Sequence, residues 1–195
     1  MKRCFLLFAI ALFCLLANAQ DSLTNHIVER AFINTLGRLN DYILFMADKT
    51  NDLETRQYYK KQALNLFAGR GYDYEEDGIR KEGARIIISS ANKPQTRSLL
   101  VRVYFNGLVN FSRQKVSLDV PNIKVKGLTK IDSSLYVCIY YYNQECIDYK
   151  DGQPIYKDVT LKKAKCYIEK QNSEKGNEYT ILFGDIYATD KKGLK

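Results

Sequence analysis

The sequence predicts an α+β fold, with amphipathic helices near the start of the chain packed on a curved antiparallel sheet of about five to six strands. Residues 22–68 combine helical periodicity with helix-capping residues. From about residue 84 onward, β-branched and aromatic stretches alternate with turn signals. Helices first and strands later is the order typical of α+β domains, in which the helices cover one face of the sheet.

The beginning of the chain has the pattern of an export signal. Lys2 and Arg3 precede a short apolar run, and the Ala-Asn-Ala sequence at 17–19 fits a cleavage site. The run is too short for a membrane-spanning helix, which needs about 20 residues. We therefore expect residues 1–19 to be a signal peptide cleaved near Ala19. Residues 20–195 would then form a single periplasmic or extracellular domain without a transmembrane segment.

The charge of the chain argues against nucleic-acid binding. The formal net charge is +8, but short basic groups such as Lys60-Lys61 and Lys162-Lys163 are interspersed with acidic residues. The basic residues therefore do not form a continuous stripe that could bind along a phosphate backbone. The positive net charge could still attract the protein weakly to anionic polymers at a cell surface.

Two helices are predicted before the first strand. Apolar residues recur every three to five positions across residues 22–46 and trace one helical face. Asn51 and Glu54 stand in the N-cap and N3 positions of a capping box, and Gly69 suits a left-handed C-cap, so a second helix is predicted between them. The side chains expected to face inward from it are Leu53, Leu64 and Phe67.

The rest of the chain is predicted to be mainly strand. Residues 70–83 resemble an irregular loop and residues 84–90 a strand. Residues 97–111 fit either a helix or an alternating strand, and we favour a short helix. Five strands follow from Val116, separated by turn signals at Pro121-Asn122, Asp132-Ser133, Asp151-Gly152 and Gly176-Asn177.

Five segments carry a resemblance to a known family. They are ALNLFAGRG (63–71), ARIIISS (84–90), VRVYFNGLVN (101–110), YKDVTLKK (156–163) and ILFGDIYA (181–188). With this order of elements, the chain resembles secreted NTF2-like (cystatin-like) proteins of Bacteroidetes. The resemblance implies a cone-shaped NTF2-like fold and an exported protein, and it favours the helix at 97–110. It brings no catalytic residues, because none are assigned in that family, and the fold alone does not determine function.

The sequence offers little chemistry of the common enzyme classes. His26 is the only histidine, which excludes metal sites that depend on several imidazoles. The chain has no phosphate loop, dinucleotide glycine fingerprint or GxSxG elbow. We therefore expect no metal and no cofactor.

Three cysteines follow the presumed leader. If the last long hairpin turns through three residues at 151–153, Cys138 lies opposite Cys166 and a disulfide can form; a two-residue turn moves the pair off register. Two buried thiols are the alternative, since cysteine is often buried when reduced. Cys146 lies about 27 Å along the same strand from Cys138, at ~3.4 Å per residue, so those two cannot bond.

The same register places a polar cluster on the inward face of the hairpin. Its members are Tyr140, Tyr142, Gln144, Asp158 and Lys162. These side chains could orient a polar ligand at the open end of the cone, or could satisfy one another as a structural network. A bulge at Gly184 would let Asp185 join them, or could serve curvature alone.

These observations favour a non-enzymatic module that binds an unidentified small ligand or a partner protein. A homodimer could form through the outer sheet face, where Val137, Ile139 and Tyr141 are expected. The alternatives are a small cavity enzyme of the isomerase or dehydratase type, using tyrosine and carboxylate groups, and a structural component of a surface assembly. An enclosed pocket of about 300 Å³ would favour ligand binding or catalysis, and a filled interior would favour assembly.

Overall fold

A computed structural model describes residues 26–90, 93–111, 114–150, 153–173 and 176–188. The signal peptide predicted for residues 1–19 lies outside this part. The helices are α1 (residues 26–47), α2 (Leu53–Leu64) and α3 (Val101–Phe111), with a 3-10 turn at Ala68–Gly71. The strands are β1 (Tyr74–Glu76), β2 (Ile79–Lys81), β3 (Arg85–Ser90), β4 (Lys93–Leu100), β5 (Gln114–Lys130), β6 (Leu135–Lys150), β7 (Gln153–Ser173) and β8 (Gly176–Ala188).

The main sheet has six strands in the order β4-β3-β8-β7-β6-β5, and β1 and β2 form a separate hairpin. The α+β fold class predicted from the sequence is confirmed, and the cone-shaped NTF2-like fold stays a prediction. The sheet is mixed, however, because β3 and β8 pair in parallel. These two strands are far apart in the chain, so no hairpin connection forces them to run in opposite directions. Within the described ranges, no helix is long and apolar enough to cross a membrane.

Helix α1 supplies the largest share of the helical core, as its periodicity predicts. Its buried side chains are Val28, Phe32, Leu36, Leu39, Ile43 and Met46. The ring of Phe32 stacks on that of Tyr140 in β6, with 3.5 Å between centroids and 6° between planes. The rings of Phe32 and Phe183 of β8 also pack edge to face, with 5.6 Å between centroids. These contacts fix α1 against the inward face of the sheet.

Helix α2 differs from its prediction at both ends. Asp52 is the N-cap, and its carboxylate accepts a hydrogen bond from the Thr55 N–H at 2.7 Å. Asn51 instead donates from its side-chain amide to the carbonyl of Phe45. The helix ends at Leu64, and Gly69 takes its left-handed conformation in the 3-10 turn that follows. The capping box assigned to Asn51 and Glu54 is wrong, because the adjacent carboxylate takes the N-cap position.

Of the three side chains expected to face inward from α2, only two do so. Phe67 is buried and Leu64 half-buried, but Leu53 is 54 % exposed at the shifted start of the helix. Polar contacts attach α2 to the rest of the domain instead. The guanidinium of Arg56 and the ammonium of Lys49 both donate to the carbonyl of Val109 near the end of α3. Cations at a helix C-terminus are stabilising, because they donate hydrogen bonds to its free carbonyls and interact favourably with the negative end of the helix dipole.

Three local predictions for the strands need correction. Residues 70–83 contain the β1–β2 hairpin, which turns at Asp77 and Gly78, both with positive φ. Residues 97–100 belong to β4, so the predicted helix begins only at Val101. The chain does not turn at Pro121-Asn122 as predicted. Strand β5 continues through these residues, and its pairing with β6 is irregular there. Proline lacks an N–H but is tolerated at such an irregularity.

The Phe32→Ala substitution is expected to lower the free energy of unfolding by about 3–5 kcal/mol, because it empties a site enclosed by Tyr140 and Phe183. Urea unfolding followed by circular dichroism measures the change. The matched control is Ile33→Ala on the exposed side of the same helix, which should cost about 1 kcal/mol or less. Equal losses in the two variants would contradict the packing described for α1.

Candidate functional site

The β6–β7 hairpin carries the residues that the sequence singles out, and its register determines which of them face each other. Cys138 pairs directly with Cys166, the register expected for a three-residue turn. At the tip, however, Lys150 pairs with Gln153, which leaves two residues in the turn. A bulge after Asp148 absorbs the difference. The predicted link between turn length and core register is therefore wrong.

Cys138 and Cys166 are fully buried free thiols in the structure. The sulfur of Cys138 lies 3.9 Å from the carbonyl oxygen of Cys166. Burial raises the pKa of Cys138 to about 11 and also raises that of Cys166. Both groups are therefore protonated and poorly reactive at neutral pH. A disulfide between them stays a prediction for the oxidised protein.

The structure describes four side chains of the predicted ligand cluster, and most of them are buried. The four are Tyr140, Tyr142, Gln144 and Lys162, whereas the side chain of Asp158 lies outside the described part. Lys162 is 3 % exposed, and its ammonium donates to the carbonyl of Ile87, 3.1 Å away. This contact ties β7 to β3, and both interpretations of the cluster, a ligand site and a structural network, stay predictions.

A small cavity lies beside two of these residues. Tyr142 and Gln144 line a cavity with apolar side chains of α1, α3 and β8, and its volume is about 10 Å³. Such a cavity has room for about one water molecule. A ligand-binding role for Tyr140, Tyr142, Gln144, Asp158 and Lys162 stays a prediction.

Asp185 follows the expected bulge in β8 but faces the opposite side of the sheet. The pairing of β7 with β8 shifts by one residue at this point. One carboxylate oxygen of Asp185 accepts a hydrogen bond from the Arg85 N–H at 2.9 Å, and the other lies 3.5 Å from the Lys81 ammonium. Asp185 therefore belongs to the surroundings of the β1–β2 hairpin and not to the inward cluster.

A larger space lies on the outer face of the sheet, beneath the β1–β2 hairpin. We call it the hairpin groove, and its volume is about 560 Å³. The residues that define it are Tyr74, Glu75, Glu76 and Asp77 of the hairpin and Val137, Lys165, Tyr167, Glu169 and Leu182 of the sheet. The volume falls within the range of small-ligand sites, about 300–1,000 Å³.

Glu76 is the most strongly held charged group in the hairpin groove. Its side chain is 8 % exposed and contacts the ammonium groups of Lys81 and Lys165 and the hydroxyl of Tyr167. Burial alone would raise the pKa of Glu76, but the hydrogen bonds from these three groups outweigh burial and lower the pKa to about 2. Burial and the bond to Glu76 raise the pKa of Tyr167. The carboxylate therefore stays charged, and the phenol protonated, at neutral pH.

The remaining carboxylates of the hairpin groove are open to solvent. Glu75, Asp77 and Glu169 are exposed, and no ion pair involves them within the described residues. The buried Tyr74 hydroxyl has no hydrogen-bond partner of normal geometry there, although it lies close enough to Tyr167 for a weak interaction. Four carboxylates and one ammonium thus line a groove on a chain that is positively charged overall.

Sequence reasoning did not find this groove. The sequence predicts an apolar outer sheet face at Val137, Ile139 and Tyr141 and an irregular loop at residues 70–83, so no groove between them is expected. The available signal was the Asp77-Gly78 pair, which is typical of a tight hairpin turn. That signal predicts the hairpin but does not predict its position over the sheet.

Element order and sheet topology define the class of this protein, an α+β domain with a mixed sheet of six strands. No protein-family model and no curated protein matches the chain. A Xanthomonas campestris protein described as a calcium/calmodulin-dependent protein kinase II association domain aligns at 12 % identity over 84 % of each chain, with a TM-score of 0.38. A Novosphingobium aromaticivorans protein described as an aromatic ring hydroxylase aligns at 14 % identity, over 84 % of this chain and 93 % of that one, with a TM-score of 0.30. Similarities at this level carry no conclusion about ligand or activity.

Burial of Cys138 and Cys166 predicts that iodoacetamide leaves both unmodified in the native protein and alkylates both after unfolding in urea. Peptide mapping without reductant separates their signals from that of Cys146. Alkylation of either residue in the native state would contradict the burial. Protection that persists in urea and ends only with reductant would instead demonstrate the disulfide.

The lowered pKa of Glu76 predicts a specific acid sensitivity. Because the folded-state pKa is about 2 against a usual value of 4.5, the stabilisation is present above about pH 5 and is lost as the pH falls towards 2. Between about pH 6 and 2.5, wild-type protein should lose ~1–2 kcal/mol more stability than Glu76→Gln, a figure reduced for solvent screening. Urea unfolding at each pH measures this difference. Glu75→Gln is the control and should follow wild type; identical pH profiles for Glu76→Gln and wild type would refute the ion pairs.

Proposed function

We propose that this protein is an exported, non-enzymatic binding module that takes a basic ligand with an apolar body, such as a short basic peptide, into the hairpin groove. The contrast between the two faces of the sheet carries the proposal. The inward cavity beside Tyr142 and Gln144 has a volume of about 10 Å³, whereas the groove on the outer face has about 560 Å³. The hairpin groove therefore has space for a ligand of several residues.

The composition of the hairpin groove supports a basic and partly apolar ligand. Val137 and Leu182 offer apolar surface, and the exposed carboxylates of Glu75 and Glu169 offer negative charge. Opposite charge attracts a cationic ligand over a distance of about 8–10 Å at moderate salt. Glu76 is already neutralised by two lysines, so the exposed carboxylates are the groups left to pair with a ligand.

The protonation states of the groove support binding more than catalysis. General acid–base catalysis works best with a group whose pKa lies near the operating pH. The pKa of Glu76 is about 2, and burial and hydrogen bonding to Glu76 raise that of Tyr167 above its usual value. Neither group changes its charge near neutrality. Glu76 and Tyr167 therefore do not supply the acid–base pair that the isomerase or dehydratase alternative needs.

The pattern at the start of the chain supports export. Lys2, Arg3, the apolar run and the Ala-Asn-Ala sequence at 17–19 have the order of a signal peptide. The five segments that resemble secreted NTF2-like proteins of Bacteroidetes are consistent with the same destination. Detection of the mature N-terminus at residue 20 in the periplasmic or medium fraction would test this part of the proposal.

Titration of the ¹⁵N-labelled protein with an acetylated Leu-Lys-Leu-Lys peptide tests the function. We expect saturable amide shifts at Val137, Tyr167 and Leu182, and no shifts with Leu-Glu-Leu-Glu. The Glu75→Gln/Glu169→Gln variant should bind about three- to tenfold more weakly, the usual effect of two exposed ion pairs. Asp41→Asn/Glu54→Gln removes the same charge from exposed positions on α1 and α2 and should leave the affinity unchanged.

Other locations of the shifts would point to other functions. Shifts confined to Tyr142 and Gln144 would support the inward ligand cluster in place of the hairpin groove. Concentration-dependent shifts at Val137, Ile139 and Tyr141 without peptide would support the predicted homodimer. These three side chains are half-buried on the outer face of β6.

A further inference from the structure

A second groove lies between α2, the turn Ala68–Gly71 and α3, on the other side of Gly69 from the hairpin groove. Its volume is about 710 Å³. Four cations line it, namely Lys60, Lys61, Arg70 and Arg102. We call it the basic groove. Its charge is opposite to that of the hairpin groove, so the two grooves suit different ligands.

In the part of the chain that the structure describes, no carboxylate lies against the cations of the basic groove. None of the residues lining it is an aspartate or a glutamate. Within the described residues, none of these four cations forms an ion pair with a carboxylate. Like charges placed together repel, and this repulsion is relieved when an anion enters. The arrangement is therefore prepared for a ligand with several negative charges.

Two of the cations are held in place by neutral oxygens. The Arg102 guanidinium donates to the carbonyls of Glu82 at 2.8 Å and Gly71 at 3.2 Å. The Lys60 ammonium donates to the side-chain oxygen of Asn106 at 3.0 Å. An arginine has five N–H donors and a lysine three, so both keep donors for an oxyanion. Because these side chains are already held in place and keep their charge, less side-chain entropy is lost when a ligand binds.

The backbone places Arg70 at the edge of the groove in an unusual conformation. Gly69, Arg70 and Gly71 have φ values of 68°, 51° and 87° in succession. A Cβ at Gly71 would lie 3.0 Å from the Leu64 side chain, and one at Gly69 would lie 3.1 Å from Tyr74. Both flanking positions therefore need glycine, and the one side chain of the left-handed turn is a cation. Non-glycine residues in this region are strained, which is frequent at functional sites.

The groove also offers an exposed aromatic ring and amide groups. Tyr72 lines it and is 74 % exposed. The negative face of an aromatic ring suits the C–H groups on the face of a sugar ring. The amides of Gln57, Asn65 and Asn106 can donate to and accept from hydroxyl groups. Cations, amides and an open aromatic ring together match a sugar that carries acidic groups.

We propose that the basic groove binds an anionic saccharide, whose carboxylate or sulfate groups pair with Lys60, Lys61, Arg70 and Arg102 while one sugar ring packs on Tyr72. A saccharide of a few residues fits better than a nucleic acid, because these four cations lie together in one groove. The chain lacks the continuous basic stripe that follows a phosphate backbone. The inference is independent of the hairpin groove and its ligand.

Isothermal titration calorimetry of the protein with four probes tests the proposal. Hexagalacturonate supplies carboxylates, a heparin-derived hexasaccharide supplies sulfates, maltohexaose is neutral, and an oligothymidylate represents nucleic acid. We expect binding of at least one acidic hexasaccharide and none of maltohexaose, and the stronger acidic probe identifies the anionic group. Tighter binding of oligothymidylate than of both acidic saccharides would overturn the proposal, as would no binding of either saccharide.

Matched variants locate the site. The Lys61→Gln/Arg70→Asn variant should bind the acidic saccharide at least about tenfold more weakly, because losing even one charged hydrogen bond has an effect of this size. Asparagine replaces Arg70 because it tolerates the left-handed backbone. Tyr72→Ala should weaken it about three- to tenfold. Lys124→Gln/Lys130→Gln removes the same charge from exposed positions of β5 and should change the affinity by less than about twofold, since distant charges are screened. With unfolding midpoints confirming that all variants fold, equal weakening by both lysine-containing variants would overturn the assigned site.

Discussion

The stacking of Phe32 on Tyr140 determines where helix α1 lies, and much of the molecule depends on that position. Both rings are fully buried, and Phe183 closes the same cluster from β8. With α1 held against the sheet, the cavity that Tyr142 and Gln144 line with apolar side chains of α1, α3 and β8 has a volume of only about 10 Å³. The hairpin groove on the outer face of the sheet is larger, at about 560 Å³.

Periodicity predicts the elements of this fold better than their ends. The apolar repeat of α1 and the alternation of the β6–β7 hairpin are regular, so the buried faces follow directly from the sequence. Local competition determines the ends. Asp52 replaces Asn51 as the cap because a carboxylate stands one residue later, and β5 passes Pro121 because an irregular pairing accommodates it. Single-residue differences of this kind depend on energies too small to read from the pattern.

The hairpin groove shows why a site cannot always be predicted from the sequence, even when all its residues can be seen there. Glu76 bonds to Lys165 and Tyr167, which lie 89 and 91 residues further along the chain. No spacing rule connects such positions, and the short β1–β2 hairpin must first be placed over the sheet. The net charge of the chain is equally uninformative, because acidic and basic grooves lie on opposite sides of Gly69.

The bulge after Asp148 separates the tip of the β6–β7 hairpin from its core. Beyond it the strands pair one residue out of step, while the pairs nearer α1 keep the register that places Cys138 opposite Cys166. A change in the length of the turn between β6 and β7 can thus be taken up at the bulge, without shifting the strand pairs of the core. The tip is a natural place to insert an affinity tag or a fluorescent reporter without disturbing the aromatic interior.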